Sequence, residues 1–159
     1  MGVPATITIE ALDGGDLVAL AQCMALDATA FPHPSVPLVS GRVARTWVAR
    51  GERGVVGFVA TNVSGSTLDI IGIAVDQRER RSGVGRALVG TVVAIARERR
   101  FHAVTLNVST ANDGAIALYE SQGFVAVERM RRYYDPARFA DGGDAFRMVL
   151  ALSARPTRP

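Results

Sequence analysis

Lysine is absent from this chain: all 18 of its basic residues are arginine. That removes a lysine Schiff base and a phosphate-loop lysine from the chemistry open to it. Cysteine occurs once, as Cys23, which excludes an intramolecular disulfide and fits a reducing cytoplasm. On an amphipathic helix Cys23 reads as core rather than as an acyl-carrying nucleophile. Two histidines and that one cysteine, without metal-ligand spacing, offer no zinc site, and no metal is expected. No apolar run approaches the roughly 20 residues that span a bilayer. The opening MGVPATITIE has no basic stretch followed by an apolar core, so no signal peptide or membrane partner is expected and the location is read as cytoplasmic. Aromatics are few, and the arginines cluster in three separated groups that hold ten of the 18, at 78, 80, 81 and 86, at 97, 99 and 100, and at 129, 131 and 132. Without a continuous basic stripe, nucleic-acid binding is not expected. The bias toward arginine is assigned to genomic base composition.

What is present is an ordinary globular composition, 48% hydrophobic and 21% charged over 159 residues. One domain is expected over residues 1–152, with residues 153–159, rich in proline and arginine, as a flexible tail. Ala5 to Ala11 alternates Ile7 and Ile9 with threonines and predicts a half-buried strand. Asp13 or Asp16 can cap a helix running to about Ala30, with Leu17, Leu20, Met24 and Ala28 near one face. Phe31-Pro32-His33-Pro34 ends it, and Ser35 to Arg45 reads as a loop with one helical turn. Thr46 to Arg50 and Val55 to Val63 flank Gly51-Glu52-Arg53-Gly54, a hairpin signature. Ser64-Gly65-Ser66 is a second turn.

The stretch Leu68 to Phe124 carries the chemistry. Leu68 to Val75 is a near-continuous apolar run, as in a strand buried on both faces. Arg80-Arg81-Ser82-Gly83-Val84-Gly85 follows, and then Leu88, Val92, Ile95 and Ala96 recur at helical spacing. Ala103 to Val108 is another short strand, flanked by His102. Glycines between a strand and a helix leave backbone N–H groups at the positive end of the helix dipole, an anion site best suited to phosphate. A Rossmann unit would need G-x-G-x-x-G, but Arg86-Ala87-Leu88 follows Gly85, and a P-loop would need G-K-S/T. A pyrophosphate held without magnesium is what remains. Ser109 to Asp113 is rich in capping residues, Ala115 to Gln122 reads as a short helix, and Gly123 fits its C-terminal left-handed position. Phe124 to Arg132 and Ala145 to Leu152 predict two strands joined by a long loop.

Ile73-Ala74-Val75-Asp76, Arg80-x-x-Gly83-x-Gly85 and Asn112-x-x-Ala115-x-x-Leu118-Tyr119-Glu120-x-x-Gly123-Phe124 together resemble the GNAT superfamily of acyl-CoA-dependent N-acyltransferases. Phe31-Pro32, Arg132-Tyr133-Tyr134 and Asp144-Ala145 are similar to its ribosomal-protein alanine N-acetyltransferase branch. The resemblance implies an α/β (α+β) fold, with a mixed, mostly antiparallel central sheet, flanking helices and a V-shaped cofactor cleft between two parallel strands. It implies acetyl-CoA as co-substrate: pantetheine pairing with Ile73, Ala74 and Val75, and held by Asn112, and pyrophosphate on the loop of Arg80, Arg81, Ser82, Gly83, Val84, Gly85 and Arg86. Phe31, Asn107, Tyr133 and Tyr134 would line the acceptor site.

An amine attacking a thioester must lose a proton, and the departing thiolate benefits from one. Spacing alone favours a Tyr119 ring packed on the sheet; the surrounding motif reverses this, and the resemblance places Tyr119 near the sulfur as general acid. The branch carries a glutamate base where this chain has Asn107, which cannot accept a proton. Asp69, four residues before Ile73, is the substitute candidate, against a solvated strand-start residue or proton release to water. The expected reaction is acetyl transfer to a primary amine, the acceptor a protein or peptide N-terminus, by a monomer or homodimer. The alternatives are a small-molecule amine acceptor and a catalytically silent acyl-CoA-binding module.

Overall fold

In the computed structural model residues 6–30, 45–135, 137 and 142–152 are described. In chain order they form β1 (Thr8–Ala11), α1 (Leu17–Ala30), β2 (Arg45–Gly51), β3 (Gly54–Ser64), β4 (Thr67–Val75), α2 (Val84–Glu98), β5 (Ala103–Ser109), α3 (Asp113–Ser121), β6 (Val125–Met130) and β7 (Ala145–Ala151). The described strands make a mostly antiparallel sheet in the order β1-β2-β3-β4-β5-β7-β6. Fold class and element order agree with the expectation. Phe31, His33 and the tail from Ser153 lie outside the described residues, as does Ala5, the expected start of the first strand. Two compact units share the chain, one of Met1–Asn62 with Ile70–Val92 and one of Val63–Asp69 with Val93–Pro159.

In the first unit, Gly51 and Gly54 pair across the tight turn of the β2–β3 hairpin, and Gly54 takes φ 97°, which a side chain disfavours. Asp16 begins α1, its Oδ1 accepting from Ala19 N at 2.9 Å. Arg50 ties this corner together by pairing with both Glu10 and Asp16. The Ala19 amide and the Arg50 guanidinium hold the Asp16 carboxyl below its ordinary range.

The buried face of α1 is not the expected one. Ala19, Cys23 and Asp27 are sealed, whereas Leu17 is 71% exposed and Met24 39%. The helix is apolar nearly all round, so spacing could not select a face. Size did: Ala19 and Cys23 are small and pack with Val48, Val55, Phe58, Ala60 and Ala74. On β3, Phe58 and Ala60 join that cluster, while Gly57, of opposite parity, lies against Val84 and Leu88 of α2.

In the second unit, β5 pairs with β7 from Ala103↔Ala151 to Ser109↔Ala145, and β7 pairs with β6 at the sheet edge. Val104, Leu106, Val108, Ala145 and Met148 are buried, while β6 is largely exposed. His102 serves the fold through its backbone, donating to Ser66 O and accepting from Leu152 N, both at 2.8 Å.

Candidate active site

The loop between β4 and α2 is built by hydrogen bonds that its own residues dictate. Asp76 ends the strand, its N–H donating to Val56 O at 2.7 Å and its Oδ1 accepting from Arg78 N at 2.9 Å. One 3-10 turn follows, Gln77–Glu79, and Glu79 O then accepts from both the amide and the hydroxyl of Ser82. Arg81 at φ 66° and Gly83 at φ 89° are left-handed, reversing the chain twice before α2 begins. The first backbone bond into the helix runs from Ala87 N to Gly83 O at 3.0 Å. The amides of Gly83, Val84 and Gly85 therefore precede any carbonyl one turn back, the arrangement that accepts an anion.

Tight packing fixes this loop. A Cβ at Gly57 would come within 3.2 Å of Ala74 O, Leu88 Cδ1 and Val84 Cγ1. Val84 is buried, while Arg80, Arg81 and Arg86 are exposed beside the helix start. Along β4, Ile73 and Val75 are half-buried and Ala74 is buried. The strand alternates buried and half-buried positions rather than being sealed on both faces.

In the second unit the predicted acceptor and acid residues converge. Asn112 caps α3, its Oδ1 accepting from Ala115 N at 3.2 Å, so its side-chain oxygen is engaged by the helix. Two turns on, Tyr119 is buried beside Phe124, ring centroids 5.9 Å apart. Burial, with Tyr134 nearby, pushes the Tyr119 phenol up to about 12. Tyr134, half-buried, is likewise pushed up to about 12, by burial first and then by Tyr133. Tyr133 stands edge-on to Tyr134 at 4.9 Å, and its hydroxyl accepts from Asn107 Nδ2 at 3.1 Å. Asn107, Tyr119, Tyr133 and Tyr134 thus form one group of uncharged polar side chains.

Asp69 is half-buried on β4 and partnered. Its Oδ1 accepts from Thr67 Oγ1 at 3.0 Å and from Thr105 Oγ1. Thr105 shares a strand face with Asn107, two residues on and about 6.6 Å away along β5. Sequence reasoning missed both threonines, because a threonine in a strand reads as an ordinary β-former. Cys23 is core, as expected: it is wholly buried, and burial pushes its thiol up to about 11. Among the described residues no group of histidine, cysteine and carboxylate side chains could hold a metal ion, and no helix is long and apolar enough to cross a membrane.

The mixed, mostly antiparallel sheet with a glycine-opened loop ahead of α2 is the fold class expected of an N-acyltransferase. The chain matches the Acetyltransferase (GNAT) family over residues 27–124, more than half of its length, and belongs to that family. It is 39% identical over 92 residues to N-acetyltransferase 8 of Homo sapiens, covering 54% of this chain and 40% of that one. It is 37% identical over 97 residues to the ribosomal protein bS18-alanine N-acetyltransferase of Escherichia coli strain K12, covering 60% and 64%. Its matches thus span between 40% and 64% of these two curated relatives. The crystal structure of the Escherichia coli ribosomal-protein-S18-alanine N-acetyltransferase superposes with TM-score 0.80 and 30% identity, covering 96% of this chain and 98% of that one. A GNAT family acetyltransferase from Elizabethkingia anophelis, crystallised with acetyl-CoA bound, shares the fold at TM-score 0.77 and 17% identity, over 94% of this chain and 100% of that one.

Proposed function

We propose that this chain is a single-domain N-acetyltransferase moving the acetyl group of acetyl-CoA directly to the α-amine of a protein or peptide. The observation that carries it is the loop before α2, where left-handed Arg81 and Gly83 place the amides of Gly83, Val84 and Gly85 ahead of the first helical hydrogen bond, Ala87 N to Gly83 O. Pyrophosphate is the group that such a loop suits. In this reading the backbone of Ile73, Ala74 and Val75 takes the pantetheine arm. Asn112 spends its oxygen on the helix cap, so its amide N–H₂ is the part left to donate to that arm. The likeness to the bS18-alanine enzyme across nearly the whole structure supports a protein N-terminus over a small amine. Acetylation of a panel of peptide N-termini, compared with small primary amines under saturating acetyl-CoA, tests this. Transfer only to small amines would replace the acceptor class, and release of no thiol with any amine would leave a silent binding module.

In the same reading Asp69 is the proton acceptor, and Thr67 and Thr105 hold its carboxylate in place. Asp69→Asn keeps the shape and removes proton acceptance. The expected loss in kcat/KM is about tenfold at neutral pH, below the usual range for acid–base catalysis because water takes part of the load. The deficit should shrink as pH rises and free amine becomes abundant. Superimposable pH–rate profiles for the two proteins would make Asp69 a structural tie between β4 and β5.

A further inference from the structure

We infer that the mouth of the β6–β7 hairpin is a specificity site for an acidic side chain of the acceptor peptide, within the first few residues after the reactive amine. The inference rests on the peptide-acceptor reading above and concerns residues that no part of the acetyl-transfer step uses. Arg129, Arg131, Arg132, Gly142 and Asp144 line an open concavity of about 400 Å³. Three guanidinium groups face one carboxylate there, so the wall carries a net charge of 3 − 1 = +2.

The single carboxylate is already engaged. Asp144 Oδ2 accepts from Arg129 Nε at 3.0 Å, and its Oδ1 accepts from the Arg132 amide at 3.0 Å. Arg129 is also held over the Phe146 ring, its guanidinium carbon 5.8 Å from the centroid. Asp144 thereby organises the wall while offsetting only one of its three positive charges. Among the described residues no carboxylate forms an ion pair with Arg131 or Arg132, and both are exposed.

Location links this wall to acceptor recognition. Arg132 directly precedes Tyr133, so their Cα atoms are about 3.8 Å apart. Tyr133 is bonded to Asn107 and packed edge-on to Tyr134, which lies near Tyr119. Two or three residues of extended peptide cover about 7–10 Å, enough to carry a side chain from the tyrosine group to the arginines. A carboxylate suits the site because a guanidinium binds it through two parallel hydrogen bonds. Nucleic acid suits it less, because the arginine group is one pocket rather than a stripe.

The test uses acceptor peptides that differ only by Glu, Gln or Arg at positions two to four, with kcat/KM measured at low and at high salt. Glu peptides are expected to exceed their Gln counterparts about tenfold in at least one position, and the ratio should fall as salt screens the pair. Arg131→Glu should bring that ratio to one or below, and Arg131→Gln, a milder change, should lower it in the same direction. Equal turnover of Glu, Gln and Arg peptides, or a Glu preference untouched by both variants, overturns the inference while leaving peptide acetylation standing. Failure of every peptide as acceptor, with small amines still used, overturns the acceptor reading and this site with it. Inhibition by an RNA oligonucleotide together with indifference to peptide charge would assign the wall to nucleic acid and likewise overturn the proposal.

Discussion

Gly83→Asp should raise the dissociation constant for acetyl-CoA by more than about 10²-fold while the protein still folds. Two effects act together. Gly83 sits at φ 89°, a conformation that a residue with a Cβ adopts at a cost of about 1–3 kcal/mol. Relief of that strain would pull the amides of Val84 and Gly85 out of line. The aspartate also brings a negative charge to the end of the helix dipole where the pyrophosphate is expected, and like charges a few ångströms apart repel by about 1–4 kcal/mol at surface dielectrics. At about 1.5–2 kcal/mol apiece, inside both ranges, the two effects multiply to more than about a hundredfold. Calorimetric titration with acetyl-CoA measures the binding, and circular dichroism checks the fold. Gly83→Ala separates the two effects: it keeps the strain, lacks the charge and should lie between wild type and the aspartate. Undiminished affinity in the aspartate variant would move the phosphate site elsewhere.

Tyr119→Phe should lower kcat by about 10²-fold, the loss seen when one donor to a developing charge is removed. The phenol is pushed up to about 12 by burial, whereas an ordinary thiol lies near 8.5. A proton shared between them therefore resides mostly on the tyrosine. In the proposed reaction Tyr119 would therefore act chiefly by donating a strong hydrogen bond to the departing thiolate, a weaker demand than complete transfer. The high value also keeps the donor protonated across the neutral range, so no alkaline decline in kcat below about pH 10 should trace to it. The phenylalanine ring still packs on Phe124, and acetyl-CoA affinity should change less than about twofold. Rapid-quench single turnovers isolate the chemical step. A near wild-type rate in that step would make Tyr119 a packing residue.

Features encoded by local chemistry were legible in the sequence. The Gly51–Gly54 turn, the Asp16 and Asn112 caps and the Gly83-x-Gly85 helix start each depend on residues a few positions apart. They fell where glycine and capping chemistry put them. Three things were not legible. The buried face of α1 follows from which small residues let the helix approach the sheet, and a helix apolar on every side does not advertise that. The Asp69–Thr105 bond joins residues 36 positions apart, and the Asn107–Tyr133 bond residues 26 apart, so neither exists until strands pair. Finally, Arg81 and Arg132 hold left-handed backbone without being glycine. Nothing in the residue type signals that conformation.

The sealed environment of Cys23 has a practical meaning for measuring the rate of acetyl transfer. Each acetyl group transferred would release one free coenzyme A thiol, and a chromogenic disulfide reagent reports it by colour. The protein's own sulfhydryl does not compete, because it is 0% exposed. With its thiol pushed up to about 11, roughly one molecule in a thousand is thiolate at pH 8, against about a quarter for an ordinary thiol. The assay can therefore run continuously at high enzyme concentration with a flat baseline, which is what slow variants such as Tyr119→Phe require. A slow colour rise in the absence of amine would then report thioester hydrolysis or unfolding rather than labelling of the native protein.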